Sequence, residues 1–125
     1  MANYIGKARS NYIRVKDVMA FNEWADQFDL KVGSDDDGRV CVLSDEQWPD
    51  MNSNGEYVDF VKALSTHLVE DEVAILMEVG SEKLRYVYGQ AQAVDHKGHT
   101  LEINLNDIYK LVEQEWESSP THAEY

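Results

Sequence analysis

Short turn segments most constrain how this chain can fold. "GSDDDG" separates "LKV" from "RVCVL", "GSEK" separates "EVAILMEV" from "LRYVYGQAQAV", and "DHKGH" separates that run from "TLEINLN". Each flanking run is alternating or apolar and rich in β-type residues. A parallel pair needs a crossover of about a dozen residues or more, whereas a short turn joins antiparallel neighbours. The strands are therefore expected to pair antiparallel.

Two of these turns imitate metal motifs. With Gly38 at position 6 of a calcium loop, Asp35 and Asp37 fall at positions 3 and 5. Position 1 is then Gly33, and position 12 is Ser44 where a bidentate Glu is needed. "VGSDDDGRV" therefore reads as a solvated hairpin tip. His96 and His99 form H-x-x-H beside Asp95, across a turn and without a further ligand cluster. No metal and no cofactor is expected.

The remaining pattern supplies helices. "SNYIRV" alternates Tyr12, Arg14 and Lys16 with Asn11, Ile13 and Val15, as a strand does. Asp17 is placed to cap a helix whose stripe is Val18, Phe21, Trp24, Ala25 and Phe28. "EYVDFVKALSTHLV" predicts a second helix, with Tyr57, Phe60, Val61, Leu64 and Leu68 facing the core. "EVAILMEV" is apolar on both faces and is expected to be a central strand. "DIYKLVEQEW", capped by Asn106 or Asp107, predicts a third helix with Ile108, Leu111, Val112 and Trp116 inward. The fold class is α+β, a mostly antiparallel sheet with about three helices in the order β-α-β-β-α-β-β-β-α. Residues 1–116 are expected to form one domain and 117–125 a frayed tail.

Charge bears most directly on function. The net charge is −13. Residues 1–16 hold Lys7, Arg9, Arg14 and Lys16 and no acid. Residues 17–59 hold 12 acids against Lys31 and Arg39, a net −10. Such a chain repels nucleic acid and anionic membrane and attracts basic surfaces; acidity also keeps many proteins soluble. Arg9, Arg14 and Lys16 are expected to pair with acids of residues 17–59. The N-terminus lacks an apolar signal core and no apolar run nears the ~20 residues of a membrane span. A cytoplasmic location is expected, as monomer or homodimer.

Catalytic signatures are missing. There is no G-x-S-x-G, no phosphate-binding loop and no dinucleotide fingerprint. Cys41 is the only cysteine and reads as a small buried hydrophobe. His67, near the end of the second helix, suits a structural role. Glu70, Asp71 and Glu72 read as a solvated run. Tyr86, Tyr88, Gln90 and Gln92 share one strand face, which is either an exposed binding surface or the edge of a covered core. Trp48, in the polar loop "SDEQWPDMNSNGE", is either a lid over the core or an interface anchor.

"RSNYIRVKD" and "LNDIYKL" resemble segments of small acidic proteins of phages and other mobile elements. That resemblance implies no enzymatic activity. It implies antagonism of host nucleic-acid-binding defences, of the anti-restriction or anti-CRISPR type, in some cases by imitating DNA charge.

The leading expectation is a non-enzymatic protein that binds a basic surface of a nucleic-acid-binding host protein. The candidate binding residues are Glu23, Asp26, Asp29, Asp35, Asp36, Asp37, Asp45, Glu46, Trp48 and Asp50. Helix carboxylates three or four residues apart lie about 5–6 Å from one another, and duplex DNA carries a charge every ~1.7 Å of axis. The alternative is a general protein–protein module, such as a toxin-neutralising immunity protein, using Trp48 and the tyrosine face. A small enzyme with dispersed acid–base residues is third.

Overall fold

Ser10 marks where the first strand stops being a strand. Its hydroxyl accepts the Val42 N–H at 2.9 Å and donates to the Asn11 carbonyl at 2.8 Å. The computed structural model describes residues 4–82 and 86–121. Within them the order is β1 (Tyr4–Ser10), α1 (Val18–Asp26), β2 (Lys31–Ser34), β3 (Val40–Ser44), α2 (Phe60–Ser65), β4 (Val73–Glu82), β5 (Tyr86–Asp95), β6 (Thr100–Asn104) and α3 (Asp107–Trp116). The six strands form one antiparallel sheet, ordered β2-β3-β1-β4-β5-β6. This is the expected α+β class and element order.

The first strand lies earlier than its sequence pattern predicts. β1 is "YIGKARS", and "SNYIRV" beyond Ser10 crosses the sheet through isolated bridges, Ile13 to Val40 and Val15 to Leu68. The Asn11 side chain stands in for backbone there. Its Oδ1 accepts the Ile75 N–H at 2.8 Å and its Nδ2 donates to the Val73 carbonyl at 3.2 Å. Alternation still sorts the faces: Ile13 is fully buried while Tyr12, Arg14 and Lys16 are exposed. β1 itself has no apolar period, because its inward residues, Ala8 and Ser10, are small and its outward ones, Lys7 and Arg9, are charged.

One turn recurs at 35–39, 52–56 and 95–99. In each, the first residue (Asp35, Asn52 or Asp95) exchanges backbone hydrogen bonds with the fourth and fifth. Its side-chain Oδ1 also accepts the N–H groups of the third and fifth residues at 2.9–3.1 Å. The fourth residue is glycine with φ of 80°, 77° or 86°, a backbone region that costs an L-residue about 1–2 kcal/mol. "DDDGR", "NSNGE" and "DHKGH" are thus one device, with Asp or Asn supplying the internal acceptor. Asp35 is consequently turned into its own loop, its side chain 18% exposed, and is not the solvated tip residue expected.

Both short helices start at an aspartate. Asp17 accepts the Ala20 N–H and Asp59 the Lys62 N–H, at 3.1 and 3.2 Å, caps worth about 0.5–2 kcal/mol each. α2 is much shorter than expected. Asp59 sets its start, and the Ser65 and Thr66 hydroxyls bond back to Lys62 and Ala63 carbonyls at its end. Tyr57 therefore falls before the helix and is exposed, against expectation. Leu68 stays in the core from beyond the helix.

α1 and α2 cover one face of the sheet. Phe21, Ala25, Phe60 and Leu64 pack there on Val40, Val42, Ala74, Leu76 and Val94. The rings of Trp24, Phe28, Phe60 and Trp48 stack or meet edge-on at 5.2–5.6 Å. The predicted turn at "GSEK" is displaced. Gly80 and Ser81 still pair with Tyr88 and Val87, and Lys83 lies outside the described residues. Residues 117–121 have no regular structure and 122–125 are outside the described residues. Among the described residues no helix is long and apolar enough to cross a membrane.

Candidate functional site

The loop after β3 is anchored by an inward carboxylate. Glu78, on central strand β4, is 7% exposed, and its Oε1 accepts the Trp48 N–H at 2.7 Å. Above that bond the Trp48 ring stacks on Phe60 at 5.4 Å. Trp48 is therefore a lid over the core. With the loop fixed in this way, Asp29, Asp45, Glu46, Trp48 and Asp50 line one cleft of about 430 Å3, between the end of α1 and the loop. Leu30 lines this cleft and also a neighbouring one of about 530 Å3, where Glu23 and Asp26 stand with Asn22 and Ser34. Seven of the ten candidate residues thus border two adjoining clefts beside edge strand β2.

Their charges are not equivalent. Glu23, Asp26, Asp29, Glu46 and Asp50 are exposed and hold no side-chain hydrogen bond or ion pair among the described residues. Asp45 lies between Lys7 and Lys31, at 3.1 and 3.3 Å. The hydrogen bond from Lys7, then that from Lys31, holds its carboxyl below the usual range. At the hairpin tip, burial pushes Asp35 up, but the N–H and guanidinium of Arg39 and the N–H of Asp37 outweigh it, so its pKa is lowered. Arg39 binds Asp35 at 2.7 Å and Asp37 at 3.2 Å. Of the three tip aspartates, Asp36 alone is both exposed and outside these bonds.

Comparison with protein families, curated proteins and solved structures found no match. Function is therefore read from the residues themselves.

The basic N-terminal segment pairs differently from expectation. Lys7, not Arg9, Arg14 or Lys16, reaches an acid of residues 17–59. Arg14 instead bonds the Asp37 carbonyl at 3.4 Å, and among the described residues no ion pair involves Arg9 or Lys16. Of the histidines of "DHKGH", one bonds within the turn and the other reaches the segment before β4. His99 Nδ1 lies 3.1 Å from the Asp95 carboxylate, and His96 Nδ1 accepts the Asp71 N–H at 3.2 Å. Among the described residues no three His, Cys, Asp or Glu side chains converge as a metal site.

The tyrosine face lies on the helix side of the sheet. Tyr88, Gln90 and Gln92 register with Gly80, Glu78 and Leu76 on β4 and are partly buried, with the Tyr88 hydroxyl donating to Gln90. The Tyr86 side chain lies outside the described residues.

The largest feature that the sequence reading missed is on the opposite face. Met77 and Val79 of β4, Val87 of β5, Leu101 and Ile103 of β6 and the following Leu105 are each more than half exposed. Register places the five strand residues together on the face that α1 and α2 leave uncovered. Leu105 joins them, because a Cβ on Gly89 would meet its Cγ at 2.9 Å. α3 was expected to be core-facing, yet none of its residues is buried: Ile108, Leu111 and Trp116 are all more than half exposed. The signal was present in "EVAILMEV", which is apolar on both faces, but alternation alone does not say whether a second layer covers the second face.

Proposed function

We propose that this chain is a non-enzymatic interaction protein that binds a basic surface of a nucleic-acid-binding host protein through the acidic clefts beside β2, and so inhibits it. The observation that carries this reading is the convergence of Asp29, Glu46 and Asp50 on one cleft, with Glu23 and Asp26 in the next. These five carboxylates are exposed and uncompensated among the described residues. An unpaired surface carboxylate keeps its full field for a cationic partner, whereas an intramolecular ion pair spends that field internally. Asp36 extends the negative surface; Asp35, Asp37 and Asp45 contribute less because each already faces a base. The chain's resemblance to mobile-element proteins supports an anti-restriction or anti-CRISPR role for such a surface. Trp48 and Tyr88, on which a general protein–protein reading would draw, are partly buried on the helix side.

The test uses the triple variant Asp29→Asn, Glu46→Gln and Asp50→Asn, none of which removes a side-chain bond in the fold. Wild-type and variant proteins are each used to capture partners from host lysate over a salt series, and the captured protein is assayed for nucleic-acid binding. The expected result is a basic, nucleic-acid-binding protein that is retained at low salt, lost with the variant, and inhibited by the wild type. Equal retention by the variant, or a captured protein with no affinity for nucleic acid, overturns the proposal.

A further inference from the structure

We infer that the uncovered sheet face and α3 together form a two-fold interface with a second copy of this chain, α3 of each copy lying on the sheet face of the other. Among the described residues the sheet has a helical layer on one side only, and no residue of the amphipathic helix α3 is buried. Each lacks what the other offers. Nine large apolar side chains in these two elements are more than half exposed. At roughly 100 Å2 per aliphatic side chain, they approach the ~800 Å2 per partner of a standard stable interface. A patch of that size exceeds what monomers usually leave in water.

Charge selects the occupant. The protein is strongly acidic, yet from β1 to β6 the strand positions of this face carry Lys7 and Arg9 and one carboxylate, Asp95, at the far end of β5; Lys7 is already paired with Asp45, so Arg9 is the base left outside an ion pair among the described residues. α3 and its cap carry Asp107, Glu113, Glu115 and Glu117 against Lys110 alone. An apolar stripe with acidic flanks therefore meets an apolar face with Arg9 at its border, both encoded in one chain. Dimensions agree: ten helical residues span about 15 Å, and the four strands from β1 to β6 span about 14 Å.

The helix that covers a given face is not its own. Only Leu105 and Asn106 separate β6 from α3. Leu105 is held by its N–H donating to the Gly89 carbonyl at 3.0 Å and by its side chain against Gly89. That leaves little slack for α3 to turn back on the face it departs from. Reciprocal exchange by a two-fold axis uses each helix and each face once and closes the assembly. It also leaves the acidic clefts beside β2 outside the interface, one set per copy.

Light scattering on the full chain at ~100 μM, where even a micromolar dimer is nearly complete, should give twice the chain mass. Ile103→Glu on the face and Leu111→Glu on the helix should each weaken association by about 100-fold or more. Both positions are exposed, so circular dichroism of each variant should show an intact fold. A second arm keeps those surfaces apolar. In a Cys41→Ala background, one copy carries Met77→Cys and another, of different tagged mass, carries Leu111→Cys. Oxidation of the mixture should link the two masses. A monomer at that concentration overturns the inference, as does a dimer indifferent to both Glu substitutions. So does a link that forms only within a single chain bearing both cysteines, which would mean that α3 closes on its own sheet.

Discussion

The Trp48 backbone N–H donates to the Glu78 carboxylate at 2.7 Å, and Glu78 is almost fully buried on the central strand. This bond ties the acidic loop to the sheet and sets the cleft that Asp29, Glu46 and Asp50 share. Its two ends are not equally replaceable. Glu78→Gln keeps an acceptor oxygen in place and should be tolerated. Glu78→Leu leaves the Trp48 N–H without an acceptor, which costs about 1–3 kcal/mol. Urea unfolding followed by tryptophan fluorescence should rank wild type and Gln above Leu. A Leu variant as stable as wild type would mean that the loop is held by other contacts.

The recurring turn makes a prediction at three places at once. Gly38, Gly55 and Gly98 each sit at positive φ with little or nothing near a would-be Cβ. Alanine at any of them should therefore lose about 1–2 kcal/mol through backbone strain alone. At the tip, Asp35→Ala should lower the melting temperature more than Asp36→Ala, since Asp35 accepts the internal N–H groups and the Arg39 guanidinium and Asp36 accepts neither. Equal melts for the two would remove Asp35 from the turn's scaffold.

Those turns also show why part of the fold was legible and part was not. Asp-x-x-Gly between alternating runs announces a tight reversal, and antiparallel pairing follows from its length, whereas the same turn at 52–56 is hidden inside a polar loop. The cap at Asp17 and the inward Phe21 and Ala25 of α1 are equally local signals and are as expected, although Val18 at the head of that stripe is exposed and Phe28 lies past the helix. β1 was misplaced because a strand buried by small residues has no apolar period, only Ala8 and Ser10 beneath Lys7 and Arg9. α2 was overlong because Tyr57 fits the helical stripe by spacing, while Asp59 decides the start by a hydrogen bond that spacing does not encode. The exposed stripe of α3 has the same pattern as a core-facing one, because periodicity reports that a face is apolar and not what covers it. Among the acids, sequence marked Asp35 and Asp45 as equal to Glu46 and Asp50; only three-dimensional pairing with Arg39, Lys7 and Lys31 separates them.

His67 predicts a pH dependence. Its ring lies 5.6 Å from Phe21 and 5.0 Å from Trp24. Burial, and then the charge of Lys16, depress its pKa below the ordinary 6.5. The folded state therefore favours neutral imidazole. The stabilisation is present above about pH 6.5, the unfolded value, and is lost as pH falls through the lower folded value. Urea midpoints measured from pH 7.5 downward should decline for wild type, and the decline should be shallower for His67→Gln. Parallel curves for the two would assign the acid sensitivity to other groups. At lower pH the depressed carboxyls of Asp35, Asp45 and Asp95 act in the same direction, their stabilisation being present above the ordinary 3.8 and lost as pH falls through their folded values.

Trp48 separates folding from binding. Its ring stacks on Phe60, which stacks in turn on Trp24, and its indole Nε1 is buried and has no hydrogen-bond partner among the described residues. Trp48→Phe preserves an aromatic partner for Phe60 and removes a donor that has no acceptor, so the lost indole area is partly offset. Its stability should stay within about 1 kcal/mol of wild type. Trp48→Ala loses the stacking, about 0.5–1.5 kcal/mol, and opens a cavity. It should cost about 2–4 kcal/mol in all, somewhat less than the ~3–5 kcal/mol of aromatic truncation in a core, because the ring is half-buried. If the carboxylates are what the partner reads, the Phe variant should bind as wild type does. The Ala variant should lose binding only as far as its loop and fold loosen, and so should be rescued at low temperature. Denaturant melts combined with association rates at 10 °C and 30 °C resolve the two effects. A Phe variant that is fully folded yet unable to bind would make the indole itself the partner's contact and would move the binding surface from the acidic rim of the cleft to its aromatic wall.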